Sequence, residues 1–458
     1  MKNKSKFALT FFLTYLFLTF CSYSSESFNF DVTEIEIKEN GNKFIGKNNG
    51  TATSIDGTKI EANYFEYNKI KNILISSGKV KIFDTKNNIT IHSDKVIYFK
   101  NDELIITNGN SKAIDNEVEI DANNFEYNKL SNTIYATGNV KINNKKKNYL
   151  IFSDKITYNK KIGKVFTKNN SKAISEGISI NAEIFNYDEK KNILEAKGKV
   201  KIEDKVEDYI LESEYLNYDR NLQKIFTKGK TKALIEKKYE FNSKDVFLDR
   251  NLKKLKSDNP STIKDDNLNF FKLSKFLYFY DKKLLRGDDI EVETNFKQEK
   301  NDKFFFKNAF INFLDNSYIS KDTRINIHKE VFDKERNLEE DQENIFAGEN
   351  DPRIYGASSS GNEDVVVLNK AIFTSCKKND NCPPWSIKAD KITYDESKRQ
   401  ILYDNAFVKI YDIPVMYFPK FFHPGPTVKR QSGFLVPYIN NSNVLGYSMQ
   451  IPYFYAPS

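Results

Sequence analysis

The chain has little of what metal centres and disulfide scaffolds are made from. Its 458 residues include one Trp, three Met, three His and three Cys. His92, His328 and His423 are scattered and show no ligand spacing, so no metal site is expected. No G-x-S-x-G, Walker A or H-E-x-x-H motif occurs, and no cofactor-binding motif is present, so neither an enzyme nor a cofactor is expected. After residue 20 no apolar run is long enough for a transmembrane helix. Helical periodicity is nearly absent before residue 320. The net charge of +8 is spread along the chain rather than gathered into a basic patch, so a nucleic-acid partner is not expected.

Aromatic residues are abundant, with 37 Phe and 26 Tyr, and together with β-branched residues they favour strands. At the start, Lys2, Lys4 and Lys6 precede the apolar run "FALTFFLTYLFLTF" and then "SYSSES". A basic region, a short apolar stretch and small residues describe a secretory signal peptide over 1–25. Cleavage near Ser24 would discard Cys21 and export the mature chain.

Three segments repeat one pattern: "IEANYFEYNKIKNILISSGKVKI" (60–82), "IDANNFEYNKLSNTIYATGNVKI" (120–142) and "INAEIFNYDEKKNILEAKGKVKI" (180–202). The period is sixty residues and then halves, because "IEANYFEY" and "IHSDKVIY" share the template apolar–x–small–x–x–apolar–x–Tyr. The template recurs as "FNSKDVFL", "FKLSKFLY" and "IKADKITY". Such self-similarity is the mark of a repeat architecture. Alternation of period two predicts strands with one buried face, and "NKIKN", "NKLSN" and "DEKKN" read as hairpin loops. Gly78, Gly138 and Gly198 interrupt the second strand at one place and predict a bulge or corner. A parallel β-helix would not need a hairpin loop in every unit. The expected apolar lining is Ile60, Phe65, Ile73, Ile75, Val80 and Ile82 in the first unit. Its counterparts are Phe125, Ile134, Val140 and Ile142, then Phe185, Ile193, Val200 and Ile202. Periodicity leaves two forms open, a closed sandwich with a dry core and an open roll whose lining accepts an acyl chain. The carboxylates Asp94, Asp154 and Glu214 recur at one template position and are expected to form an exposed polar stripe.

The units resemble the OstA-type repeats of the lipopolysaccharide transport family. That family uses them in a periplasmic bridge protein and in the N-terminal domain of an outer-membrane assembly protein. "KAIFTSCKKNDNCPPWSIKADKITYD", "IYDIPVMYFPKFFHPGPTVKRQSGFLVP" and "LGYSMQIPYFYAPS" resemble the second of these, at its entry into the membrane barrel. The resemblance implies an all-β fold: an elongated antiparallel β-jellyroll, or β-taco, over 26–400, followed by the first strands of a transmembrane β-barrel over 401–458. The barrel would be incomplete and the chain a fragment. Residues 320–365 break the repeat and are expected to form an irregular, partly helical excursion.

The implied function is lipopolysaccharide transport and insertion at the outer membrane, with acyl chains carried along the apolar interior. Implied partners are lipopolysaccharide, an LptA-like bridge paired to the N-terminal edge strands, an LptE-like lipoprotein plug and the outer membrane itself. Pro414, Pro419, Pro424, Pro426, Lys429, Arg430, Gly433 and Pro437 would form the barrel entry or gate. Cys376 and Cys382 would close a local disulfide loop, or pair with cysteines nearer the barrel's C-terminus, as family members do. A soluble bridge protein and a structural β-repeat surface protein are the competing readings.

Overall fold

The computed structural model describes residues 27–267, 269–294, 302–327, 352–362, 364–376, 383–395, 397–398, 400–424, 432–434, 438–442 and 446–455. The expected signal peptide, His328, Cys382, Pro426, Lys429, Arg430 and Pro437 lie outside the described residues. Among the described residues the chain is strand throughout, with one 3-10 turn at Glu39–Gly41.

The strand Ile73–Asp84 shows why the sequence is written as it is. Along one side it pairs antiparallel with Ile89–Phe99 over its whole length. On the other side its first half pairs with Tyr64–Asn68 and its second half with Lys59–Ala62. The register shifts between Ser77 and Val80, where Gly78 and Lys79 both take left-handed backbone (φ 80° and 52°). Each strand is thus two straight arms joined at a corner. The template spacing is this corner: Ile60 and Ala62 point inward from one arm, Phe65 and Tyr67 from the other, and the two unpatterned residues make the turn. Asn and Asp stand at many other corners, including Asn110, Asn170, Asp245, Asp322 and Asn405, because their short polar side chains tolerate positive φ. The hairpin loops end the same way, on Asn72, Asn132 and Asn192 at φ 50–60°.

Two compact units result. The first comprises residues 1–176 with 188–190, and the second 177–187 with 191–458. Within the first, the arms fold face to face. Tyr98, Tyr127, Phe65, Phe125, Ile60, Leu74 and Ile82 are all under 2% exposed, each such burial contributing roughly 1.5–3 kcal/mol. The second repeats this construction in Ile193–Asp204 paired with Tyr209–Asp219, with its shift between Lys197 and Val200. It ends in a core of Ile325, Ile354, Leu368, Ile392, Ile401 and Tyr403.

Three sequence expectations change. Ile73, Ile75 and Ile193 lie on the outer side, half-buried, while Leu74, Ser76, Leu194 and Ala196 face inward. The left-handed pair at this corner takes up two residues, so inward parity is kept from Leu74 through Ile82. In the template strand the corner takes one residue fewer and parity switches. The region 320–365 is strand at both ends, Ser317–Asn326 pairing with Arg353–Gly361, and 328–351 lies outside the described residues. Small residues fill the corner of Arg353–Gly361: a Cβ at Gly356 would meet Leu368 at 3.0 Å. Packing also continues through residues 400 and 401, since Trp385–Asp395 pairs with Gln400–Ile410 and both supply the same core.

The small residues of the template line the inside of the corner. There Ser93 donates to the Gly109 carbonyl at 2.9 Å and Ser111 to that of Asn123 at 3.1 Å. Thr107 receives the Phe125 amide at 2.7 Å. The Gly109 and Asn123 carbonyls also accept the Asp94 and Gly109 amides at 3.1 and 3.0 Å, so the serines add second bonds, whereas Thr107 satisfies an amide that the bend removes from the ladder. Corner packing makes a prediction. Gly138 (φ 81°) would place a Cβ 2.5 Å from the Asn123 side chain, whereas Gly229 (φ 84°) has nothing within 4 Å. Gly138→Ala is expected to cost about 2–3 kcal/mol and Gly229→Ala about 1 kcal/mol in urea unfolding. Equal costs would show that the corner column does not constrain the fold.

Candidate functional site

Ile60, Phe65, Val80, Ile82, Phe125, Ile134, Val140, Ile142, Phe185, Val200 and Ile202 all face the interior of their unit and are buried. The interior tapers. Ser and Ala sit at the corner, Ile, Leu and Val in mid-arm, and Tyr near the free ends. Several tyrosines place their hydroxyls at the mouth, where the two rims meet, while those of Tyr278 and Tyr280 are buried without a hydrogen-bond partner. Tyr67 donates to Asn72 at 2.9 Å, Tyr98 to Glu103 at 2.6 Å, Tyr187 to Asn192 at 2.6 Å and Tyr218 to Gln223 at 2.9 Å.

The mouth of the first unit is closed by charge. Lys129, with its side chain 3% exposed, bonds the carboxylate of Asp56, Thr58 Oγ1 at 2.7 Å, Tyr98 Oη at 2.9 Å and Glu103 Oε2 at 2.9 Å. Lys100 bonds Glu103 and reaches Asp56 at 3.1 Å. Further along the seam Tyr127 donates to Asp84 at 2.7 Å, and Lys160 meets Asp115 at 3.1 Å. One station is reversed: Glu189 from the lysine rim receives Tyr149 and Asn144 from the other. Burial pushes the Asp56 carboxyl up, but the bonds from Lys129, Ser54 and Lys100 outweigh it and hold the group well below the usual carboxylate range. Glu103 is lowered in the same way, against its burial, by Lys100, Lys129 and Tyr98. Burial opposes the Lys129 charge, and Asp56 and Glu103 overcome it and raise its pKa.

The second unit begins with the same seam. Arg250 meets Asp204 at 2.9 Å, the aspartate side chain being fully buried, Lys253 meets Glu207 at 3.2 Å, and Lys283 pairs with Glu236. Beyond it lies a cavity of about 480 Å³ lined by Phe271, Phe304, Phe306, Phe313, Tyr318 and Val366 together with Asn267, Asn269, Thr294, Asp302, Asn316 and Asn362. The apolar wall is reachable here. Stacked and tilted rings, such as Phe306 and Tyr318 at 5.0 Å, border it.

The remaining expected sites separate. Asp94 and Asp154 are exposed at corners and accept Asn110 and Asn170 amides at 2.9 and 2.8 Å. His92 is half-buried, its pKa lowered by burial and by Lys81 and Lys112; His423 bonds Tyr403 at 2.8 Å. The Cys376 thiol lies 3.6 Å from the Trp385 carbonyl, and its expected partner Cys382 is outside the described residues. Pro414, Pro419 and Pro424 fall in the strand Ile413–Pro424, Pro419 opposite the Asn405 corner, and Gly433 in the short strand Gly433–Phe434. Ile413, Val415, Met416, Tyr417 and Phe422 of that region are 39–66% exposed. No group of metal-binding side chains occurs among the described residues.

Sequence reasoning missed the seam. Its signal was present two residues after the template Tyr, where Lys69, Lys100, Lys129, Lys160 and Arg220 recur. That position reads as a solvated turn until the opposite rim is known.

Residues 59–164 match the family described as the LptA/(LptD N-terminal domain) LPS transport protein. The match lies within the repeat region and covers about a quarter of the chain. The chain is 36% identical over 94 residues to the LPS-assembly protein LptD of Legionella pneumophila strain Paris, covering 20% of this chain and 11% of that protein. It is 35% identical over 104 residues to LptD of Francisella tularensis subsp. novicida, covering 22% and 11%. The match to LptD of Ectopseudomonas mendocina is 32% over 91 residues, 20% and 9%. The chain thus spans about a tenth of the length of these relatives. Among solved structures, LptH of Pseudomonas aeruginosa, titled as the LptA homologous periplasmic component of a lipopolysaccharide transport device, aligns at 16% identity and a TM-score of 0.24. That alignment covers 25% of this chain and 86% of LptH.

The lowered carboxyls of Asp56 and Glu103 contribute stability that is present above their unfolded values, near pH 4, and lost as pH falls through the lower folded values. The gap in urea midpoint between the parent and D56N/E103Q is therefore expected to hold steady from about pH 8 to 5 and to narrow only below about pH 4. A gap that already closes between pH 7 and 5 would show that these carboxyls are not held low.

Proposed function

We propose that the chain acts in lipopolysaccharide transport and insertion at the outer membrane, acyl chains lying along the apolar interior while sugars and phosphates stay at the mouth. The observation that carries this reading is the aromatic-lined cavity of about 480 Å³ in the second unit, an apolar wall that a fatty chain can reach. The family match of residues 59–164 and the printed names of the relatives support the substrate class.

The interior is lined by apolar side chains and hydroxyls rather than by convergent acid–base groups, which suits passive transfer. The energy would come from elsewhere. The strand Phe28–Lys38 pairs only with Lys43–Ser54 among the described residues, so its other edge could extend into an LptA-like bridge protein by strand addition, beside exposed Ile35 and Ile37. The exposed apolar side chains of Ile413–Pro424, with Tyr447, Tyr453 and Tyr455, suit contact with the outer membrane, and the repeat units would lie in the periplasm. The prolines of that strand lack ladder donors and would keep a barrel seam weak; an LptE-like lipoprotein would plug the barrel.

A structural β-repeat protein is the second reading, favoured by the dense interior of the first unit, where Ile60, Leu74, Ile82 and Tyr98 are fully buried. Photocrosslinking separates the two. With p-benzoylphenylalanine at Phe306 or Phe125, lipopolysaccharide should be captured in growing cells, and at Ile75, on the outer side, it should not. Crosslinks confined to the chain's own side chains at Phe306 and Phe125 would sink the carrier reading and leave the structural one.

A further inference from the structure

The seam at the mouth has an order that a merely structural closure does not need. In both units nearly all the cations come from one rim. Lys100, Lys129 and Lys160 in the first and Arg250, Lys253 and Lys283 in the second rise from the turns that follow the last template position, which is Tyr98, Tyr127 and Tyr158 in the first unit and Leu248 and Tyr278 in the second. Their carboxylate partners across the mouth, Asp56 and Asp115 in the first unit and Asp204, Glu207 and Glu236 in the second, come from the opposite rim. Several of these cations are well shielded: the side chains of Lys129, Lys100, Arg250 and Lys283 are 3, 13, 14 and 12% exposed.

Burying ion pairs gives little net stability, because desolvation offsets most of the attraction. Apolar rims would close the same mouth more firmly. A charged seam differs in being exchangeable: its cations keep their stabilisation if another anion replaces the carboxylate. An amphiphile whose chains enter the interior must leave its headgroup at this mouth, within reach of the cation rim. Lys and Arg are the residues that bind phosphate, Arg by a bidentate fork and Lys as a point charge.

We propose that the cation rim is a binding site for the phosphomonoesters of the amphiphile's headgroup, which displace the opposing carboxylates and so open the seam. This rests on the carrier reading above. In the first unit the site centres on Lys100 and Lys129, with Asp56 and Glu103 as the resident counter-ions and Tyr98 Oη as a further donor once Glu103 is displaced. Selection follows from the mechanism. A neutral headgroup cannot replace a carboxylate as counter-ion, so it cannot open the mouth without leaving two buried cations unpaired.

The full chain is titrated with lipid A bearing two phosphates, with the same lipid A after removal of both, and with inorganic phosphate as competitor. The bisphosphorylated lipid should bind about tenfold or more tightly than the stripped one, and its affinity should fall with rising salt. K100Q/K129Q should abolish that preference, and D56N/E103Q, which removes the competing carboxylates, should strengthen it. A folding defect would move both variants the same way. Equal binding of the two lipids, or a shift in the same direction in both variants, overturns the phosphate site while leaving the acyl carrier standing. Binding of neither lipid removes the carrier reading and this proposal with it. Displacement of the lipid by inorganic phosphate at matched concentration overturns the headgroup assignment, since the cations would then read free phosphate.

Discussion

The mid-strand bend is the constraint on which the rest depends. A strand of eleven or twelve residues, such as Ile89–Phe99 or Ile73–Asp84, could run straight in a flat sheet with one face wet. Here the ladder is interrupted near its middle, and left-handed residues fold the second arm back over the first. Each arm then covers the other, so a single antiparallel ladder supplies its own second layer. The backbone groups freed at the corner would be costly if left unmade; amide-to-carbonyl bonds across the bend meet several, and the Thr107 hydroxyl meets the Phe125 amide. What looks in the sequence like a weakly hydrophobic template position is the inside of the bend, where Ala62, Ala122 and Ala182 alternate with Ser93 and Ser153.

The bend also sets the size gradient across the interior. Of the two inward positions flanking a corner one is commonly small, as at Ala62, Ser93 and Ser153, and the other large, as at Phe65 and Val96; the template Tyr stands near one free end. A tyrosine near the rim buries its ring and hands its hydroxyl to the seam, as Tyr127 does with Asp84 and Tyr98 with Glu103. Phenylalanine would fill the same space and leave those carboxylates short of a donor. The repetition of Tyr in the template therefore belongs to the mouth, and the repetition of Ile and Val to the wall.

Much of this was legible. The period, the hairpin loops, the corner at Gly78, Gly138 and Gly198 and eleven of the fourteen expected lining residues follow from alternation alone. Ile73, Ile75 and Ile193 were misread because parity across a corner depends on whether the extra residues number one or two, and both kinds of corner occur in alternate strands. The strand Arg353–Gly361 was hidden within the expected excursion because its small residues, which mark a loop in most proteins, flank a corner in this one. The seam was invisible for a different reason. Asp204 and Arg250 lie in separate hairpins, and nothing local tells that Asp204 is fully buried while Asp94 is exposed. Cross-rim partners are set by how far the arms close, which is a property of the folded roll.

Closure itself differs along the chain, and the chemistry of the rims accounts for it. Where Asp56, Asp84, Asp115 and Asp204 face tyrosines, lysines or arginine, hydrogen-bond geometry draws the rims to within about 3 Å of each other. Where the lining residues are Phe304, Phe306, Phe313 and Tyr318, bulky rings border a cavity of about 480 Å³. Rings hold space because they pack against one another at 5–6 Å and have no charge to satisfy across the gap. A latched interior and an open one can therefore be built on the same bent strand, by changing only the residues near its two ends. An apolar seam would seal permanently, since opening it exposes hydrocarbon to water. A seam of ion pairs returns each charge to solvent, or to another counter-ion, when it parts, and so closes the roll without committing it to stay closed.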